Sequence, residues 1–145
     1  MASLGILFFT TCSIDRDYNE NEYDYSWIEI SVFLSESCPI AQYMMLPLKT
    51  SYESFASDSV IFKGYFPNIL SNEETISTFI DKHEIPFMCI DDEGGEQANR
   101  LGATVYSEVF VHFEGSLVYK GMIDDSYSGL GQWSPAENNY LYDVL

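Results

Sequence analysis

Basic residues are scarce: the chain has six Lys and Arg against 23 Asp and Glu, a formal net charge of −17. The six are scattered, at Arg16, Lys49, Lys63, Lys82, Arg100 and Lys120. No cationic patch exists to neutralise phosphates, which excludes nucleic-acid binding and disfavours an anionic membrane surface. Long apolar runs are also missing. No stretch approaches the roughly 18 residues of a membrane span. Cysteine is limited to Cys12, Cys38 and Cys89. An odd number at wide spacing is neither a disulfide framework nor a zinc pattern. His83 and His112 stand at no ligand spacing to them, so no metal and no cofactor are expected. His83 reads as a surface or C-cap group near a helix end, and His112 as a satisfied or exposed strand residue. Internal repeats and low-complexity segments are absent.

What is present suffices for a core. Of 145 residues, 46% are hydrophobic and 16% aromatic, enough for one domain without covalent staples. The acid excess reads as a solvated, solubilising surface. Residues 1–25 precede the domain expected over 26–145. In them, Leu4 to Thr11 is an apolar run that ends at Cys12. Two readings stay open for it. One is a lipoprotein-like leader, with Cys12 as lipid anchor and the cell envelope as location, although no Lys or Arg precedes the run. The other is a plain β-strand in a cytoplasmic protein. Residues 14–25 are acidic and Tyr-rich. Asp15, Asp17 and Asn19 have the odd spacing of a calcium loop but lack its glycine and final glutamate, so the segment reads as a linker.

The periodicity then predicts strands and helices in alternation. Trp27 to Leu34 is a near-continuous apolar run, a buried strand. After Ser35-Glu36-Ser37, Cys38 and Pro39 open a helix to about Ala56, since proline in the first turn forfeits no hydrogen bond. Pro47 is expected to kink it. Val60 to Phe66 is a second strand. Ser71-x-x-Glu74 reads as a capping box that starts a second helix. Phe87 to Ile90 is a short strand, and Glu96 to Leu101 a short helix closed by Gly102. Val109 to Phe113 and Leu117 to Tyr119 flank the turn Glu114-Gly115-Ser116 as a hairpin. The tail holds turn signals and a short Tyr/Leu helix. The order β-α-β-α-β-α-β-β implies an α/β fold: a central mixed sheet with helices on both faces and a C-terminal β-hairpin.

Cys38 lies where a buried strand gives way to a helix. Ligands of open α/β sheets bind at that carboxyl end. The helix dipole and free backbone N–H groups there favour thiolate, the reactive form of cysteine. The plainer alternative is an inert buried thiol.

Phe33 to Gln42, FLSESCPIAQ, resembles the active-site segment of thioredoxin-like redoxin domains, in the peroxiredoxin and thiol-disulfide oxidoreductase superfamily. GYFPN at Gly64 to Asn68, EIPFMCIDD at Glu84 to Asp92, LGATVYSEVFV at Leu101 to Val111, YKGMIDD at Tyr119 to Asp125 and the terminal YLYDVL extend the likeness over residues 26 to 145. The resemblance implies a thioredoxin-like fold, Cys38 as the reactive residue, Ser35, Pro39, Tyr106 and Ser107 lining the site, and a bacterial envelope setting. Three departures bear on chemistry. Ala41 stands where a dithiol enzyme has its second cysteine, so resolution of a mixed disulfide falls to an external thiol or to Cys89. Cys89 qualifies only if its Cα lies within about 7 Å of that of Cys38, and otherwise is a core residue. Ser107 replaces the family's cis-proline, and the Tyr106–Ser107 bond is expected trans because a cis bond there costs roughly 2.5–4 kcal/mol. Ser31 occupies the proline position of the peroxiredoxin loop, with Ser35 as stand-in for its threonine and Arg100 as the sole late arginine. Asp124 and Asp125 match the family's acidic pair and read as turn caps. The expected function is thiol chemistry at Cys38 on a disulfide or a hydroperoxide, with recycling by an external thiol. The alternative is a redox-inactive binding module on the same fold.

Overall fold

Apolar residues at alternate positions build the first strand, β1, over Ile28–Phe33. Its side chains point alternately to opposite faces. Ile30 and Val32 are wholly buried on one face, with Ser31 and Phe33 on the other. The computed structural model describes residues 27–145. The leader-or-strand reading, the Cys12 anchor and the acidic linker lie outside the described residues.

β1 is followed by α1 (Pro39–Phe55), β2 (Val60–Phe66), α2 (Glu73–His83), β3 (Met88–Asp91), α3 (Glu96–Leu101), β4 (Val109–Phe113), β5 (Ser116–Gly121), β6 (Tyr127–Gly129), β7 (Gln132–Trp133) and α4 (Tyr140–Val144). The main sheet has the order β3-β2-β1-β4-β5. β1 pairs in parallel with β2, and β2 with β3, while β4 runs antiparallel to both β1 and β5. The expected mixed α/β sheet and the hairpin at its edge are therefore present. Beyond them, residues 127–133 form a small β6–β7 ribbon where only turns were expected.

Helices cover both faces. Ala41, Met44, Met45 and Leu48 of α1, Ile76 and Phe79 of α2 and Leu141 of α4 pack on the face of Ile30 and Val32. Ala98 and Leu101 of α3 pack on Phe33, Tyr65 and Phe110 opposite. α1 runs uninterrupted through Pro47, whose carbonyl accepts from Ser51 Oγ at 3.1 Å.

The start of α2 differs from the capping box read at Ser71. The N-cap is Asn72, whose Oδ1 accepts from the backbone N–H of Glu74 and Thr75 at 3.0 and 3.1 Å, and Thr75 Oγ1 accepts from Asn72 N–H. Ser71 is free of capping because its hydroxyl binds Glu36. His83 also differs from a surface group. Its ring packs on Phe79 at 4.5 Å, and Nε2 is buried without a partner among the described residues. Burial, then the charges of Lys82 and Lys49, hold its pKa below the ordinary histidine value. His112 is half-buried opposite Glu29, and its Nδ1 has no partner among the described residues.

Candidate functional site

The sheet topology brings two distant segments to one edge. β1 ends where antiparallel β4 begins, Val32 standing opposite Val109. The loop that enters β4 therefore lies beside the loop that leaves β1. Two backbone bonds lock them: Phe33 N–H donates to Glu108 O at 3.2 Å, and Ser107 N–H donates to Phe33 O at 2.6 Å. Such a reversal of strand order is where ligands enter α/β sheets.

Cys38 is the N-cap residue of α1 in extended backbone, and its side chain makes no capping bond. Its N–H closes a turn onto Ser35 O at 3.2 Å, and its carbonyl accepts from Gln42 N–H at 3.2 Å. The thiol is free and half-buried. It lines a groove of about 510 Å³ with Phe33, Ile40, Pro67, Ala98 and the segment 103–106. None of the lining residues carries a charge. Pro39 follows at the first helical position, exposed.

The structure places the other expected residues as follows. Tyr106 lines the groove, 39% exposed. Ser107 is buried beside it, with φ at +68° and a hydroxyl that has no partner among the described residues. All peptide bonds among the described residues are trans, as expected for Tyr106–Ser107. Ser35 is fully buried, and its hydroxyl pairs with Ser37 Oγ at 3.1 Å and Asn68 Nδ2 at 3.4 Å. Those contacts brace the loop and turn the Ser35 hydroxyl to Ser37 and Asn68. Cys89 is not among the groove residues. Its Sγ packs against Gly64 in β2, on the apolar core, two strands from β1. Burial pushes its thiol up to about 12, so it stays protonated near neutrality. Arg100 binds Gln97 on exposed α3 and does not line the groove. Asp124 caps its own turn, its Oδ1 accepting from Ser126 N–H and Oγ, whereas Asp125 departs from the expected turn cap and ties to a distant segment, its Oδ1 accepting from the N–H of Glu137 and of Asn138.

Sequence reasoning missed one residue of the site loop, Glu36. Its carboxylate accepts from Ser71 Oγ at 2.7 Å and Thr75 Oγ1 at 2.6 Å, and its carbonyl accepts from Gln42 Nε2 at 2.9 Å. Burial opposes its charge, but the hydrogen bonds from Thr75, its own backbone and Ser71 outweigh it and hold the pKa below the ordinary value. Glu36 so ties the loop before Cys38 to the start of α2. Its partners lie 35 and 39 residues away, and no local pattern signals such a contact. Phe33, Ile40, Pro67 and Ala98 were likewise invisible as groove residues, because each reads as ordinary core or turn. A larger cavity of about 680 Å³ lies between α1 and the C-terminal segment, lined by Tyr43, Trp133 and Tyr142, with no cysteine or histidine.

No protein-family model matches the chain, and no curated protein sequence matches it. Solved structures do. A hypothetical protein from Sinorhizobium meliloti 1021 superposes with a TM-score of 0.66 at 20% identity over 73% of this chain and 61% of that one. StoA from Bacillus subtilis gives 0.58 at 21% identity, over 67% and 74%. A secreted Mycobacterium tuberculosis disulfide oxidoreductase homologous to DsbE of E. coli gives 0.55 at 14% identity, over 65% and 66%. The chain thus spans about three fifths of the length of the first of these structures. No helix among the described residues is long and apolar enough to cross a membrane. The shared architecture, with β1 leading into the Cys38 helix and antiparallel β4–β5 closing the sheet, is the thioredoxin-like fold.

Proposed function

We propose that this protein is a thiol-based redox protein in which Cys38 attacks a disulfide and an external thiol completes the cycle. One observation carries the reading. The Cys38 thiol is uncapped at the N-terminus of a 17-residue helix and opens into a groove at the carboxyl end of β1. Thiolate is the attacking form in disulfide exchange, and the groove leaves room for a second sulfur to approach it. Attack on one sulfur of a disulfide forms a mixed disulfide with Cys38, and the other sulfur leaves as thiolate and takes up a proton. With Ala41 at the neighbouring position and Cys89 protonated in the core, a second thiol from solution must release Cys38 and be oxidised with the substrate. A disulfide fits better than a hydroperoxide, because no cationic side chain lines the groove to polarise an O–O bond. The structural likeness to a secreted disulfide oxidoreductase and the resemblance of its segments favour the bacterial envelope as its location, and thiol proteins as partners.

The test is labelling of the folded protein with iodoacetamide from pH 6 to 9, with Cys38→Ser as the blank, followed by reaction with a small disulfide. Rapid modification of one thiol at neutral pH, absent from the blank, together with a mixed disulfide at Cys38 by mass spectrometry, is the expected result. An inert Cys38 in the folded protein ends the redox reading and leaves a binding module.

A further inference from the structure

We infer that the cavity between α1 and the C-terminal segment binds the guanidinium group of an arginine on a protein partner, through the rings of Tyr43, Trp133 and Tyr142 and the carboxylate of Asp124. The inference is independent of the chemistry at Cys38, because the cavity shares no residue with the Cys38 groove.

The cavity measures about 680 Å³. Its three aromatic side chains are exposed, Tyr43 by 60%, Trp133 by 61% and Tyr142 by 43%. Exposed rings gathered around one cavity mark a binding surface. Two of them are held by a second ring. Tyr43 stacks on Tyr127 at 5.3 Å between centroids, and Tyr142 meets Phe55 edge-on at 4.8 Å. Trp133 is held by β7, where it pairs with Tyr127. Rings fixed in advance lose little freedom on binding.

The hydroxyls of the wall have donated their protons inward. Thr50 Oγ1 donates to Leu46 O and Ser51 Oγ to Pro47 O, both at 3.1 Å, and Ser126 Oγ donates to Asp124 Oδ1 at 2.6 Å. Only lone pairs remain on them for a ligand. Asp124 is 4% exposed. Its Oδ1 also accepts from Ser126 N–H, while Oδ2 has no bond among the described residues and is not sealed from solvent. A carboxylate so far buried is costly without a counter-charge. No Lys, Arg or His lines the cavity. Among the described residues, Lys49, Lys63 and Lys120 are paired with Glu84, Glu29 and Glu108, and Lys82 and Arg100 bind Gln42 and Gln97.

The wall therefore calls for a cation with several donors and a flat face. Guanidinium has five N–H donors, is planar and weakly hydrated, and stacks on aromatic rings. A lysine ammonium brings the charge without the flat face. Free arginine brings a carboxylate as well, for which the wall holds no cation, so the group arrives on a peptide chain. The net charge of −17 steers a basic partner toward the protein.

The test is an NMR titration of the isotope-labelled protein with N-acetyl-Gly-Arg-Gly-amide, at physiological salt so that exposed charges are screened. Backbone amides within residues 43–51 and 123–142, which carry the lining, are expected to shift. The matching citrulline peptide has nearly the same shape and no charge. It should bind about tenfold more weakly, the loss of a charge-assisted hydrogen bond. The matching lysine peptide should bind about threefold more weakly for want of stacking. Asp124→Asn keeps an acceptor for Ser126 and should erase the preference for arginine over citrulline. Trp133→Ala, at an exposed position, should weaken the arginine peptide about fivefold with the folded spectrum intact, and it decides the case should Asp124→Asn disturb the fold. Equal affinity for the arginine and citrulline peptides, shifts confined to other residues, or wild-type affinity in Trp133→Ala overturns the site. Tetramethylammonium binding more tightly than the arginine peptide overturns the guanidinium assignment.

Discussion

Cys38 and Cys89 pack against the same apolar core, neither is in a disulfide, and both are half-buried. Their backbones place them differently. Cys38 caps a helix at the edge where β1 and β4 diverge, beside a groove and with no competing bond on its thiol. Cys89 sits within β3, level with Gly64, where its sulfur fills the space a side chain on residue 64 would take. Burial acts on its thiol and pushes it up to about 12. Exposure therefore does not tell the two cysteines apart; a place at a helix start beside a groove, against a place within a core strand, does.

The comparison can be broken most directly at Cys38. Cys38→Ser should lower the rate of disulfide exchange by on the order of a hundredfold or more, as expected when the nucleophile is removed. Cys89→Ser should leave that rate unchanged. If both substitutions slow exchange equally, the two regions act together and the contrast fails.

A second measurement reads Cys89 itself. In the folded protein it should resist alkylation at pH 7 and become labelled in denaturant. Its folded-state pKa lies above its unfolded one, so the fold binds the proton more tightly. Its contribution to stability is intact below the ordinary value of 9.0 and is lost as pH rises toward about 12. A denaturation midpoint that falls across this window in the wild type, and falls less in Cys89→Ser, is the expected signature.

Gly64 offers a sharper structural probe. A Cβ there would stand 3.1 Å from Leu34 Cδ1, 3.2 Å from Phe87 and 3.3 Å from Cys89 Sγ. Gly64→Ala should cost ~1–3 kcal/mol through overpacking, measured by chemical denaturation. Unchanged stability would show the Cys89 region to be looser than its contacts imply.

The smallest effect belongs to the loop before Cys38. Glu36→Gln replaces two charge-assisted bonds, from Ser71 and Thr75, with weaker neutral ones, at ~1 kcal/mol. The folded-state pKa of Glu36 is lowered, so its contribution is present above the ordinary 4.5 and is lost as pH falls. The stability gap between wild type and variant should close in acid. A gap that persists at pH 3 would show the tie to be steric and not ionic.

Much of the fold was legible in the chain. The run Trp27 to Leu34 announced a strand buried on both faces, Pro39 marked the first turn of α1, and Glu114-Gly115 marked the hairpin, where both residues take positive φ. Local rules suffice for such elements because the pattern and the turn chemistry lie within a few residues. The capping box was misplaced by one residue for the opposite reason: Ser71 is drawn off by Glu36, a long-range partner. The β6–β7 ribbon escaped notice because two strands of three and two residues carry no period to read.

The sequence by itself determined that one cysteine would stand at a strand-to-helix junction, since a strand pattern, a short polar loop and Cys-Pro are contiguous in the chain. The tertiary structure alone decided what surrounds that thiol. The groove draws on Phe33, Pro67, Ala98 and Tyr106 from four separate segments, the loop is tied to α2 by Glu36, and the strained Ser107 is set in place by its bond to Phe33. Those contacts depend on which strand β4 pairs with and in what register. Hydrophobic pattern and turn geometry fix register only once two strands are neighbours, and β1 and β4 are brought together from distant parts of the chain by the burial of the whole sheet.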